Sequence, residues 1–192
     1  MTTLPLLHVC DFTYARAGRL LLKDLSLEIS SGDAVVLQGP NGSGKTTLLR
    51  CLAGIPDSFS NIIKSAGLTQ SYLGHSNALK MGRTVRANLL QQTQVDPNIL
   101  ETIAKARGLI PVLDRQVRTL SMGQQRQVAL TRVALSGAKL WLLDEPTTHL
   151  DEGAAASFWE ELSAHLTAGG CAVLSSHKDV PLPGAKVITF HG

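Results

Sequence analysis

The stretch GPNGSGKT, Gly39 to Thr46, limits more than any other what this chain of 192 residues can become. It matches the pattern G-x-x-x-x-G-K-[ST]. A short β-branched run, AVVLQG (34–39), precedes it and reads as a buried strand. KTTLLRCLAG (45–54) follows as a helix, with Leu48, Leu49, Leu52 and Ala53 on one face and Gly54 as its C-cap. Strand, glycine-rich turn and helix, in that order, form the context in which this pattern cradles phosphate. Gly39, Gly42 and Gly44 let the backbone curl so that its N–H groups face inward. The helix start adds about half a positive charge. Lys45 is placed to set a compact cation on the β- and γ-phosphates of a nucleoside triphosphate, and Thr46 to offer a hydroxyl to Mg²⁺. Pro40, Asn41, Ser43 and Thr47 complete the loop around the phosphates. The bland reading, a glycine-rich turn with a surface lysine, leaves the flanking strand and helix unexplained.

Such a site needs a second anchor for the metal and a group to direct water. LWLLDEP (140–146) offers both. Asp144 ends a buried strand and can hold Mg²⁺ through a water. Glu145 follows at the strand's carboxyl end, where α/β sheets place ligands, and can orient or deprotonate the attacking water. Adjacent acids could also be solvated turn residues, but the apolar run before them buries the strand up to the acids.

The rest of the chain fits an α/β architecture. LSLEI (25–29) reads as a half-exposed strand, and further strands are expected at about 66–73, 138–146, 171–177 and 185–190. Between them, 84–118 looks helical, with Pro97 near a helix start, and 120–135 reads as a helix capped by Ser121 with Gln124 three residues on. Residues 152–167 are also helical in pattern. Buried strands alternating with helices predict a mostly parallel sheet. With 44% hydrophobic residues but only 4% aromatics, Leu, Val, Ile and Ala must fill the core. A net charge of +3, without a Lys/Arg run or interleaved aromatics, argues against nucleic acid as a partner. Cys10, Cys51 and Cys171 are too scattered for a disulfide framework or a zinc site. No secretory pattern opens MTTLPLLHVCDF and no run approaches the ~20 apolar residues of a membrane span.

LSMGQQ (120–125) resembles L-S-G-G-Q, the signature of the ATP-binding subunits of ABC transporters. DEPTTHLD (144–151) looks like that family's Walker B end and D-loop, and SSHKD places His177 like its switch histidine. The resemblance covers essentially the whole chain. It implies a P-loop NTPase of the ABC ATPase type, with a mostly parallel sheet core, a small antiparallel β part and an inserted helical subdomain. A single domain would span 1–192, with a RecA-like core at about 1–74 and 137–192 and the helical subdomain at about 75–136. It further implies a head-to-tail homodimer in the ATP state. Each ATP would meet the phosphate loop of one copy and Ser121, Gly123 and Gln124 of the other, with Asp151 in the D-loop nearby. A helix N-terminus at Ser121 suits a γ-phosphate, and the same residues also read as a capping box. Tyr14 matches the aromatic that stacks on adenine, although core or edge packing is the other reading of an isolated tyrosine.

YLGHSNALK (72–80) leading into TVRANL is similar to the haem-exporter type of this family that serves cytochrome c maturation. So are the double Gln of LSMGQQ and the "LW" of the strand at 140–144. His75 then stands where the wider family has a glutamine that reaches Mg²⁺ and the lytic water. Gln70 is a rival that lies too early in the chain. Met122 replaces a small residue of the signature, and the segment between Gly54 and Tyr72 is short for the family. The implied function is an ATPase subunit, using ATP and Mg²⁺, that drives integral membrane partners from the cytoplasmic face of the inner membrane. An ATPase of another small bacterial exporter would carry the same motifs. A non-transport ABC protein acting on ribosomes or DNA usually has tandem cassettes or a long coiled-coil insert, for which this chain has no room. A binding module without turnover does not explain Lys45, Asp144, Glu145 and His177 together.

Overall fold

The computed structural model describes residues 5–16, 19–55, 59–93 and 95–190. The N-terminal tetrapeptide, the two ends of the expected domain and part of the short 55–71 segment therefore lie outside the described residues. Five parallel strands form the central sheet: β3 (Ala34–Gln38), β5 (Gln70–Leu73), β6 (Leu140–Asp144), β7 (Cys171–Ser175) and β8 (Lys186–Thr189). Their order is β5-β6-β7-β3-β8. The continuous apolar runs AVVL, LWLL and CAVL take the three middle places, where both faces of a strand are covered. KVIT, mostly exposed, takes an edge.

Successive residues of each middle strand serve opposite faces. Val35, Leu37, Leu140, Leu142 and Val173 point toward Leu48, Leu49 and Leu52 of α1 (Lys45–Ala53). The same cluster includes Leu7, Val9, Phe12, Leu27 and Ile29 from a second, antiparallel sheet of order β2-β1-β4. Here β1 is Leu7–Arg16, β2 is Arg19–Ile29 and β4 is Ile62–Lys64. On the other face, Val36, Trp141, Leu143, Ala172 and Leu174 meet Ala129 and Val133 of α4 (Met122–Leu135) and Phe158 and Leu162 of α5 (Glu152–Thr167). A third cluster joins Val85 and Leu89 of α2 (Val85–Thr93), Leu100 and Ala104 of α3 (Pro97–Ala106) and Val128 of α4. Helix α4 thus belongs to both the helical region and the sheet.

Two sequence expectations change. The helical reading over 84–118 stops at Ala106, because Gly108 turns left-handed (φ 65°) and Pro111 follows. Only 3₁₀ turns at Ile110–Val112 and Val117–Thr119 come after it. The strand expected at 25–29 begins six residues earlier, at Arg19, as the partner of β1. Its pattern is hidden by irregularities in the pairing, with Asp11 and Asp24 at positive φ (43° and 47°).

His165 of α5 stacks flat on Trp141 of β6, with ring centroids 4.0 Å apart and planes 12° from parallel. Burial pushes this imidazole below its ordinary range, against the opposing effect of backbone contacts at Cys171 and Lys139. The folded protein therefore favours the neutral ring. Its contribution to stability is present above about pH 6.5 and is lost as the pH falls through the lowered folded value. His165→Phe keeps the stacking and removes the titration. Urea denaturation of this variant should lose less stability between pH 7 and 5 than the parent does.

Candidate active site

The parallel register aligns the carboxyl ends of three neighbouring strands. Asp144 pairs with Ser175, and Ser175 with Leu37, so β6, β7 and β3 end side by side. The glycine-rich turn leaves β3 at this level. Gly39 has φ 143°, and a Cβ there would come within 2.5 Å of the Phe190 carbonyl oxygen. Gly44 (φ 106°) caps α1, and its Cβ would stand 3.0 Å from the Leu21 carbonyl oxygen. Glycine is required at both places by conformation and by space.

The turn folds over its own lysine. Lys45 is 6% exposed, and its Nζ donates to the carbonyls of Gly39 and Pro40, both at 2.8 Å. Thr46 Oγ1 donates to Asp144 Oδ2 at 2.8 Å. Asp144 is 3% exposed, and its other oxygen accepts from Ser175 Oγ at 2.6 Å. Ser175 Oγ in turn accepts from the backbone N–H of Glu145 at 2.9 Å. Next to this chain, a cleft of about 320 Å³ is lined by Asn41, Gly42, Gly44, Lys45, Thr46, Thr47, His75, Asp144 and Glu145.

Glu145 leaves β6 with φ 46°, a left-handed conformation that costs a non-glycine residue of order 1–3 kcal/mol. Its Oε2 accepts from Thr148 Oγ1 at 3.1 Å, and its Oε1 lies 3.6 Å from His177 Nδ1. A second cleft, of about 260 Å³, holds His177 and Asp151 and also borders Glu145. The two histidines therefore flank Glu145 from different clefts. Gln70 sits at the opposite end of β5 from His75, where its Nε2 donates to the Ala53 carbonyl at 2.8 Å.

The remaining predicted residues are placed apart from the cleft. Ser121 and Gln124 form a complete capping box at the start of α4. Gly123 packs so closely under the 144–151 turn that a Cβ would lie 2.5 Å from the His149 carbonyl oxygen. Met122 is 55% exposed, with its side chain in solvent. Asp151 caps α5 by accepting from Ala154 N–H at 2.7 Å. Tyr14 packs edge-on against Phe59 (5.8 Å) and stacks near Phe12 (6.3 Å), at the margin of the core. Its ring does not line the phosphate cleft.

Sequence reasoning missed Arg126. It is 3% exposed and donates to backbone carbonyls of the Asp144–Pro146 turn and to the Gly74–Asn77 segment. Burial lowers its basicity, while Asp144 and Glu145 act to raise it. Nothing in the spacing of QQRQ signals which of its polar residues turns inward.

The arrangement suits a nucleotide phosphate chain. The Ser43 hydroxyl is buried beneath the turn without a hydrogen-bond partner among the described residues, and a phosphate oxygen would supply the acceptor it lacks. Thr46 and Asp144 offer oxygen donors only, which suits a hard divalent cation. No three His, Cys, Asp or Glu side chains among the described residues converge on a metal by themselves, so phosphate oxygens would complete the shell.

Residues 22–148 match the model of the ABC transporter family. The chain belongs to that family, as an ATP-binding subunit that hydrolyses ATP in coupling to transport. A solved structure of an ABC transporter ATP-binding subunit, 21% identical, superimposes with a TM-score of 0.84 over 97% of this chain and 86% of that one, which shows the same fold. The cytochrome c biogenesis ATP-binding export protein CcmA of Gluconobacter oxydans is 42% identical over 183 residues, covering 94% of this chain and 85% of that protein. CcmA of Paracoccus denitrificans is 40% identical over 184 residues, covering 95% and 88%. Within the family, the chain is of the CcmA type.

Gly39→Ala should destabilise the fold by about 1–3 kcal/mol through strain at positive φ. It should also abolish measurable ATP binding, because the clash at Phe190 reshapes the turn. Urea denaturation and nucleotide titration of the same sample check both effects.

Proposed function

We propose that the protein is the ATP-hydrolysing subunit of a membrane complex for cytochrome c biogenesis, the role named for its CcmA relatives. The observation that carries the ATP-hydrolysing part of this reading is the Thr46–Asp144 hydrogen bond at the edge of one cleft that also gathers Lys45, His75 and Glu145, and the CcmA relatives carry the setting. Lys45 and the turn's N–H groups bind the phosphates of ATP. Thr46 and Asp144 would hold Mg²⁺, which when bound would neutralise charge that develops on the phosphates. Glu145 accepts a proton from the attacking water, and His177, 3.6 Å from its carboxylate, orients it. His75 lines the same cleft and positions water. The residual assignments are Tyr14 to the base, on the strength of sequence correspondence alone, and Ser121, Gly123, Gln124 and Asp151 to the ATP of a second copy.

That second copy is part of the proposal. In the ATP state two subunits close head to tail, and hydrolysis reopens them. The core at about 1–74 and 137–192 would carry the phosphate site, and the helical region at about 75–136 would carry the stroke to the partner. No helix among the described residues is long and apolar enough to cross a membrane, so contact with the inner membrane's cytoplasmic face would run through integral partner subunits.

Lys45→Ala should lower ATP affinity by at least about tenfold, as a buried cation on the phosphates is lost. Calorimetry showing parental affinity would contradict the phosphate assignment. Glu145→Gln should keep ATP binding and lose about 10²–10⁴-fold in turnover. It should accumulate as a dimer when ATP is added, visible in gel filtration. A monomer with parental turnover would remove Glu145 from the reaction.

A further inference from the structure

Arg126 lies inside the molecule, on the second turn of α4, and every one of its N–H groups has a partner. Nε donates to the Pro146 carbonyl at 3.0 Å. Nη2 donates to the carbonyls of Asp144 and Glu145, the latter at 2.8 Å. Nη1 donates to the Gly74 carbonyl and to Asn77 Oδ1, both at 3.0 Å. A guanidinium has five N–H donors in a fixed plane, and here five acceptors use them. No carboxylate oxygen is among those acceptors.

What this plane joins is specific. Three of the acceptors are consecutive carbonyls of the turn that contains Asp144 and Glu145. The other two, on Gly74 and Asn77, bracket His75. The Arg side chain itself belongs to α4, the helix that Ser121 caps. The turn it holds is strained, since Glu145 sits at φ 46°, and such a conformation persists only where its surroundings over-determine it. Ser175 Oγ fixes the N–H side of Glu145, and Arg126 fixes its carbonyl side.

We propose that Arg126 is a positioning residue for ATP hydrolysis. Its guanidinium locks the left-handed Glu145 turn and the His75 loop into one frame with α4, so that the Glu145 carboxylate and the His75 ring keep fixed places on the cleft. Arg126 does not itself line the phosphate cleft, so its role is to hold the residues that do. The inference rests on the assignment of Glu145 to the attacking water. Lysine cannot substitute for it: an ammonium has three donors in a tetrahedral array and cannot reach the carbonyls on both sides at once.

The test uses the full-length protein with three variants: Arg126→Lys, Asn77→Ala and their combination. Steady-state ATP hydrolysis gives kcat and KM, nucleotide titration gives affinity, and thermal denaturation reports folding. Arg126→Lys should lose about 10²-fold in kcat while KM and ATP affinity stay within about twofold, the signature of a misplaced reacting group. Asn77→Ala removes one acceptor and should lose less. The double variant should be no slower than Arg126→Lys alone, because both changes break the same frame. Parental kcat in a folded Arg126→Lys protein overturns the proposal, and so does an equal loss of kcat and ATP affinity. Should Arg126→Lys fail to fold, Asn77→Ala decides: a selective fall in kcat supports the frame, and parental kinetics overturn it. Glu145→Gln is measured beside them. If it hydrolyses ATP at the parental rate, the assignment of the base has failed; if it is inactive while Arg126→Lys is fully active, only the positioning role has failed.

Discussion

A carboxylate buried at the carboxyl end of an interior strand of a parallel sheet is the constraint on which the rest of this structure turns. Asp144 is 3% exposed, at the end of a strand whose other four residues are apolar and buried. An ionised group can occupy such a place only with partners for its oxygens. One oxygen takes the Thr46 hydroxyl and the other takes Ser175. These two bonds tie the first turn of α1 and the end of β7 to the end of β6. The phosphate turn is therefore held in register with the acidic turn by the same interaction that makes the buried charge tolerable. Removing the carboxylate would loosen a nucleotide site and unpair two hydroxyls together.

The parts of the molecule that the sequence reveals are those with a single dominant physical cause. AVVL, LWLL and CAVL are apolar without interruption because both of their faces are covered, and they lie in the middle of the sheet. Helix α5 matches its expected span of 152–167 because no glycine kink or proline interrupts it. The antiparallel sheet is harder to see. Leu7 and Val9 are buried two apart, but the next buried residue is Phe12, three further on, because Asp11 turns left-handed between them. One irregular residue shifts the period by one and hides a ten-residue strand from any alternation test.

The candidate site shows the same division. Lys45, Thr46, Asp144 and Glu145 were legible because their spacing follows from where a strand ends and a helix begins. His75 was legible only through family resemblance, since a loop histidine has no periodicity to give it away; the fold then brings it to the cleft lining. Arg126 was not legible at all. On helical pattern alone, Gln125, Arg126 and Gln127 are equivalent polar residues, yet Gln125 and Arg126 are buried and Gln127 is half-buried. Only the tertiary position of carbonyls 74, 144, 145 and 146 distinguishes them, and backbone acceptors leave no trace in side-chain sequence.

Ser121 and Gln124 raise the question of whether a residue that caps its own helix can also serve a ligand. The hydrogen bonds resolve this by direction. Gln124 N–H donates to Ser121 Oγ at 3.2 Å, and Ser121 N–H donates to Gln124 Oε1 at 3.0 Å. The box therefore uses these side chains only as acceptors. The Ser121 hydroxyl proton and the Gln124 amide NH₂ remain available as donors, and a phosphate is an acceptor of donors alone. Gly123 between them carries no side chain because a Cβ there would meet the His149 carbonyl oxygen at 2.5 Å. Capping thus leaves the donor half of the same groups for the phosphate binding proposed above. A helix start built in this way is held rigid by the bonds it makes to itself and keeps these donors free, which suits the anion of the proposed second copy.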